Sequence, residues 1–142
     1  MRKLDDTDFA RLTNLLRDAP ELAAGYCFGS QTDPKCRNPR DLDLAVLAAQ
    51  PLGLRRLLEL GADITDLIAS DAVDLIDLRQ AGPVLKFQVI KSRHLLFARD
   101  QSLVNRFELA AMRDYLQQIP ADLGGFVRDV AHWLAGAGTA LT

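Results

Sequence analysis

Cysteine is scarce in this chain. Cys27 and Cys36 are the two it has, and neither lies at a Cys-x-x-Cys or Cys/His spacing. Two isolated thiols build neither a disulfide framework nor a zinc site, so a reducing cytoplasm is the expected setting. Excess positive charge is missing too. Lys and Arg number 17 against 19 Asp and Glu, leaving a net charge of −2 and a pI near 5.6. A protein that grips long nucleic acid needs clustered cations to neutralise phosphates, so direct nucleic-acid binding is not expected. No segment approaches the roughly 20 apolar residues of a membrane span, and "MRKLDDTDFARLTNLLRDAP" lacks the unbroken apolar stretch of a signal peptide. His94 and His132 have no carboxylate or cysteine neighbours at ligand spacing, and no role is assigned to them.

What remains is ordinary globular material: 142 residues, 49% hydrophobic and 25% charged, enough for one domain with a single core. Leu4, Phe9, Leu12, Leu15 and Leu16 recur at helical spacing behind the capping candidates Asp5, Asp6 and Thr7, with Pro20 beyond. Short apolar runs at 24–28 and 41–48 read as strands, joined by a loop containing Pro34, Asn38 and Pro39. A helical stripe of Leu54, Leu57, Leu58, Ile64, Leu67 and Ile68 follows, then a strand at 72–78. "GPVLKFQVI" opens with a proline suited to a first helical turn, but its Phe-Gln-Val-Ile end reads equally as strand. A strand at 94–98 and helices at 101–118 and 122–134 complete the pattern. The expected architecture is α/β (α+β): a small mixed sheet of about four strands packed with helices, with residues 1–100 as the core and 101–142 as a C-terminal helical extension of the same domain.

The chemistry is concentrated in "FGSQTDPKCRNPRDLDLAVL". Alternate residues of a strand share a face, so Asp41 and Asp43 project together while Leu42, Leu44 and Val46 point the other way. Two carboxylates about 4 Å apart repel by roughly 1 kcal/mol in water and roughly 4 kcal/mol at a protein-surface dielectric, a standing cost that a divalent cation removes. Magnesium suits such hard oxygen ligands and is normally held by one or two carboxylates together with substrate phosphates. A third acid comes from "VDLID". Asp74, expected to be more interior than Asp77, is the better candidate to face the pair. Gly29 and Ser30, directly after a strand, suit phosphates: glycine permits close backbone approach, and the hydroxyl and neighbouring N–H groups donate. Such a site would activate a hydroxyl for in-line attack on the α-phosphorus of a nucleotide, with pyrophosphate leaving.

The order and spacing of Gly29, Ser30, Asp41, Asp43 and Asp74, set in "FGS", "DLDLAVL" and "VDLIDL", resemble the minimal nucleotidyltransferase branch of the DNA polymerase β-like nucleotidyltransferase superfamily. The likeness runs on through "GPVLKFQVIKSRHLLFARD" and "RFELAAMRDYL", and is similar to the antitoxin half of HEPN/MNT toxin–antitoxin pairs. The resemblance implies a nucleotidyltransferase fold, with Asp41, Asp43 and Asp74 as catalytic and Mg2+-binding residues and Gly29 and Ser30 as the triphosphate contact. It implies ATP as co-substrate, AMP transfer to a hydroxyl (a tyrosine) of a partner HEPN ribonuclease toxin, and a hetero-oligomer with that toxin. A non-catalytic antitoxin of the same fold, or a transferase acting on a small molecule such as an antibiotic, are the alternatives. The chain departs from the family's Gly-Ser-x-Ala-Arg-Gly, carrying Thr32, Asp33 and Pro34 there, and has Arg40 before the first aspartate. Two arrangements stay open: Lys35, Arg37 and Arg40 supply the missing positive charge, or Arg40 lies over the aspartates.

Overall fold

The computed structural model describes residues 1–92, 94–118 and 132. Its first helix, α1 (Asp6–Arg17), starts where the acidic cluster predicts. The Asp5 carboxylate accepts from the Asp8 N–H at 2.8 Å while Asp8 accepts from the Asp5 N–H at 3.0 Å, so two of the helix's orphan donors are satisfied reciprocally. Arg2 donates to the same Asp8 carboxylate. Leu12 and Leu16 are fully buried on the inward stripe, and burying each such side chain contributes roughly 1.5–3 kcal/mol.

Strands β1 (Leu22–Phe28), β2 (Leu42–Ala48), β3 (Val73–Asp77) and β4 (His94–Ala98) form one sheet in the order β3-β2-β1-β4. β1 pairs antiparallel with β2 and β4, whereas β2 and β3 are parallel. A parallel pair needs a crossover, and α2 (Leu54–Ile68) supplies it. Alternation along β2 divides the core in two. Leu42, Leu44 and Val46 pack with Leu12, Leu16, Leu60 and Ile64 against α1 and α2, and Ala45 and Leu47 pack with Tyr26, Val89 and Val104 on the other face. That second face is covered by α3 (Pro83–Ser92) and α4 (Gln101–Gln117).

The ambiguous Phe-Gln-Val-Ile segment is helical, within α3. Phe87, Val89 and Ile90 are all buried there because α3 is wedged between the sheet and α4, which erases the one-sided stripe. Leu54 and Leu58, expected on the buried stripe of α2, are instead 73% and 64% exposed. The expected helix at 122–134, and the extension past residue 118, lie outside the described residues apart from His132. Among the described residues no helix is long and apolar enough to cross a membrane.

The Arg2 guanidinium, followed by the Asp5 N–H, holds the Asp8 carboxyl down at about 2 against its ordinary 3.8. A lowered carboxylate pKa contributes stability that is complete above the unfolded value and lost as pH falls toward the folded one. Asp8→Asn should therefore lower the melting temperature at pH 7, and its difference from wild type should narrow between about pH 4 and about pH 2, as thermal melts across that range would show.

Candidate functional site

The end of β1 and the start of β2 are brought together by register: Phe28 stands opposite Asp43. The chain leaves β1 through Gly29, whose φ of +76° is open to few residues other than glycine. A Cβ there would also lie 2.2 Å from Oδ2 of Asp43, so the turn backbone rests directly on that carboxylate. A short 3-10 turn, Gly29–Thr32, carries Ser30 past the strand end, with the Thr32 hydroxyl donating to the Gly29 carbonyl at 2.7 Å.

Parallel pairing sets Asp43 opposite Asp74. Asp43 is half-buried, and its carboxyl is raised above the ordinary range, first by burial and then by the negative charges of Asp74 and Asp41. Asp43 therefore feels the charge of both other acids. Asp41 precedes β2 rather than lying within it, and is exposed.

Contrary to the sequence expectation, Asp74 is not the more interior of the two acids of β3. Asp74 is exposed and Asp77 is the buried one, at 5%. β3 is an edge strand, so its first carboxylate meets solvent, whereas Asp77 accepts from the Arg79 N–H at 3.0 Å and caps the following turn. Asp74 is nevertheless the residue in register with Asp43.

Among the described residues no Lys or Arg forms an ion pair with Asp41, Asp43 or Asp74, and Arg40 is exposed. Asp33 turns back on its own loop, accepting from the Lys35 N–H at 2.9 Å. Among the described residues no group of three His, Cys, Asp or Glu side chains is placed to hold a metal ion by itself. A half-buried carboxylate burdened by two like charges, open to further oxygen donors, nonetheless fits magnesium, which ordinarily completes its shell with waters and phosphate.

Several contacts left no trace in the sequence pattern. Gln31, 3% exposed, donates from Nε2 to the Arg2 carbonyl at 2.8 Å and accepts from the Leu4 N–H at 3.0 Å. Lys3 Nζ donates to the carbonyls of Ser30, Asp33 and Cys36 at 3.4, 2.7 and 2.9 Å. A pocket of about 370 Å³ adjoins the turn, lined by Phe9, Cys27, Gln31, Thr32 and His94 among others. The Cys27 thiol within it is pushed up to about 12 by burial and then by Asp43, so it stays protonated at neutral pH.

The family description "Polymerase beta, Nucleotidyltransferase" matches residues 10–102, a span that holds the turn and all three aspartates. The chain belongs to that nucleotidyltransferase family. It is 38% identical over 92 residues to the protein adenylyltransferase MntA of Shewanella oneidensis, a match covering 64% of this chain and 66% of that relative. Two structures share the fold at a TM-score of 0.67 and 32% identity, each alignment covering 90% of this chain and 99% of the other. One is a tri-AMPylated Shewanella oneidensis HEPN toxin in complex with MNT antitoxin, and the other a toxin–antitoxin with AMP-PNP.

Two substitutions probe this geometry. Because the raised Asp43 carboxyl binds its proton more tightly in the folded state, its ionisation costs stability as pH rises above the ordinary carboxylate range. Asp43→Asn should raise the melting temperature at pH 7 without added metal, a gain that thermal melts should show vanishing below about pH 4. Gly29→Ala should destabilise by about 1–2 kcal/mol in urea unfolding through left-handed strain, with the clash on Asp43 adding to it.

Proposed function

We propose that this chain is an antitoxin nucleotidyltransferase that transfers AMP from Mg-ATP to a tyrosine hydroxyl of a partner HEPN ribonuclease toxin and so neutralises it. The observation that carries the reading is Asp43 set opposite Asp74 beside the Gly29 turn. Support comes from the 32% identity to a chain solved with an AMPylated HEPN toxin, and from the AMP-PNP bound in a second such complex. The two free thiols agree with action in the cytoplasm.

In this reading Gly29 lets the triphosphate approach the backbone, and the Ser30 hydroxyl with the neighbouring N–H groups donates to its oxygens. Asp41, Asp43 and Asp74 would hold magnesium together with phosphate oxygens and waters, and the ion would neutralise charge on the phosphates and activate the acceptor hydroxyl. Asp74 takes the proton from that hydroxyl. The acceptor oxygen forms a bond to the α-phosphorus, the bond from that phosphorus to the α,β-bridging oxygen breaks, and pyrophosphate departs with the electron pair. The mutual repulsion at Asp43 favours a site that binds cation and nucleotide together.

The test is the intact mass of the partner toxin after co-expression with wild type or with Asp41→Ala/Asp43→Ala. The toxin should gain one or more AMP units with wild type alone. A partner that stays unmodified yet co-purifies and is neutralised equally by both forms would make this a binding antitoxin and end the transferase reading.

A further inference from the structure

We infer that Lys3 is a positioning residue for the phosphate-binding turn: its ammonium, reaching across from the segment before α1, fixes the backbone of the Gly29–Ser30 loop in the form that receives a triphosphate. The inference rests on the transferase reading for its ligand, but the hold itself stands on geometry. Three carbonyls spread over the loop, those of Ser30, Asp33 and Cys36, converge on one Nζ. An ammonium has three donors, and here all three are used on main-chain oxygens. In a planar trans peptide the C=O and the following N–H point opposite ways. Holding the Ser30 carbonyl therefore also fixes the direction of the Gln31 N–H.

The segment carrying Lys3 is itself anchored. Gln31 grips the main chain on both sides of Lys3, at the Arg2 carbonyl and the Leu4 N–H, and Arg2 pairs with Asp8 in the first turn of α1. Leu4 is buried in the α1/α2 core. Thus the loop is tied through Lys3 and Gln31 to the rigid start of a helix. No carboxylate is paired with Lys3 among the described residues, so its charge is not cancelled by an ion pair next to the turn. A cation bound only to neutral carbonyls adds positive potential where an anion is to sit. The Lys3 charge already acts on Cys27, next to Phe28 at the strand end.

The test compares wild type, Lys3→Met and Lys3→Arg. Lys3 is exposed, so neither substitution disturbs the core. Trypsin reads the loop, because Lys35, Arg37 and Arg40 lie in it. Lys3→Met should be cut at those sites about tenfold faster, with a melting temperature within a few degrees of wild type. Its Kd for Mg-ATP and its KM for ATP should rise about tenfold while kcat for AMP transfer changes less than about threefold, and Lys3→Arg should restore most of the affinity. Unchanged cleavage would overturn the inference, as would faster cleavage with an unchanged Kd. A wild-type chain that binds Mg-ATP but modifies no partner would end the transferase reading while the Kd comparison still decides the role of Lys3. A wild-type chain that does not bind Mg-ATP would overturn both.

Discussion

The register between β1 and β2 is the constraint on which the site end of the molecule depends. Phe28 opposite Asp43 brings the chain out of β1 against the first inward carboxylate of β2, leaving no room for a side chain between them. A slip of one residue would turn Leu42, Leu44 and Val46 away from the α1/α2 core, so the hydrophobic pattern of β2 enforces the position of the acid. Packing energy is thus what holds Asp43 where electrostatics alone would not put it. The parallel neighbour then adds Asp74 at the same level, and the α2 crossover makes that neighbour possible.

Much of this was legible in the sequence because it is periodic. The alternation of β2, the stripes of α1 and the turn residues after β1 are local signals, and each element forms close to where its signal lies. α3 is ambiguous in sequence for a physical reason: a helix packed on two sides carries apolar residues beyond a single stripe, and its Phe87–Ile90 stretch then resembles a buried strand. The residues flanking Asp74 and Asp77 do not report that β3 is an edge strand. Edge position is a property of the sheet order.

The supports of the turn were illegible for a related reason. Lys3 and Gln31 act through long-range polar contacts with main-chain atoms, and such contacts impose no periodicity and no fixed spacing. Gln31 in particular looks like an ordinary loop residue, yet it is buried and committed at both ends of its amide. The departures from the family motif look milder in the fold. Asp33 is engaged in a local turn, and the cation that touches the loop backbone arrives from the segment before α1 instead of from within the loop.

The edge position of β3 has a bearing on size. Asp74 stands on the outermost strand and is exposed, so in the proposed reading an acceptor reaching it meets no walled channel among the described residues. An enclosed acceptor chamber would set an upper limit on what can be modified. An open rim sets none, and leaves shape selection to whatever surface the acceptor itself brings.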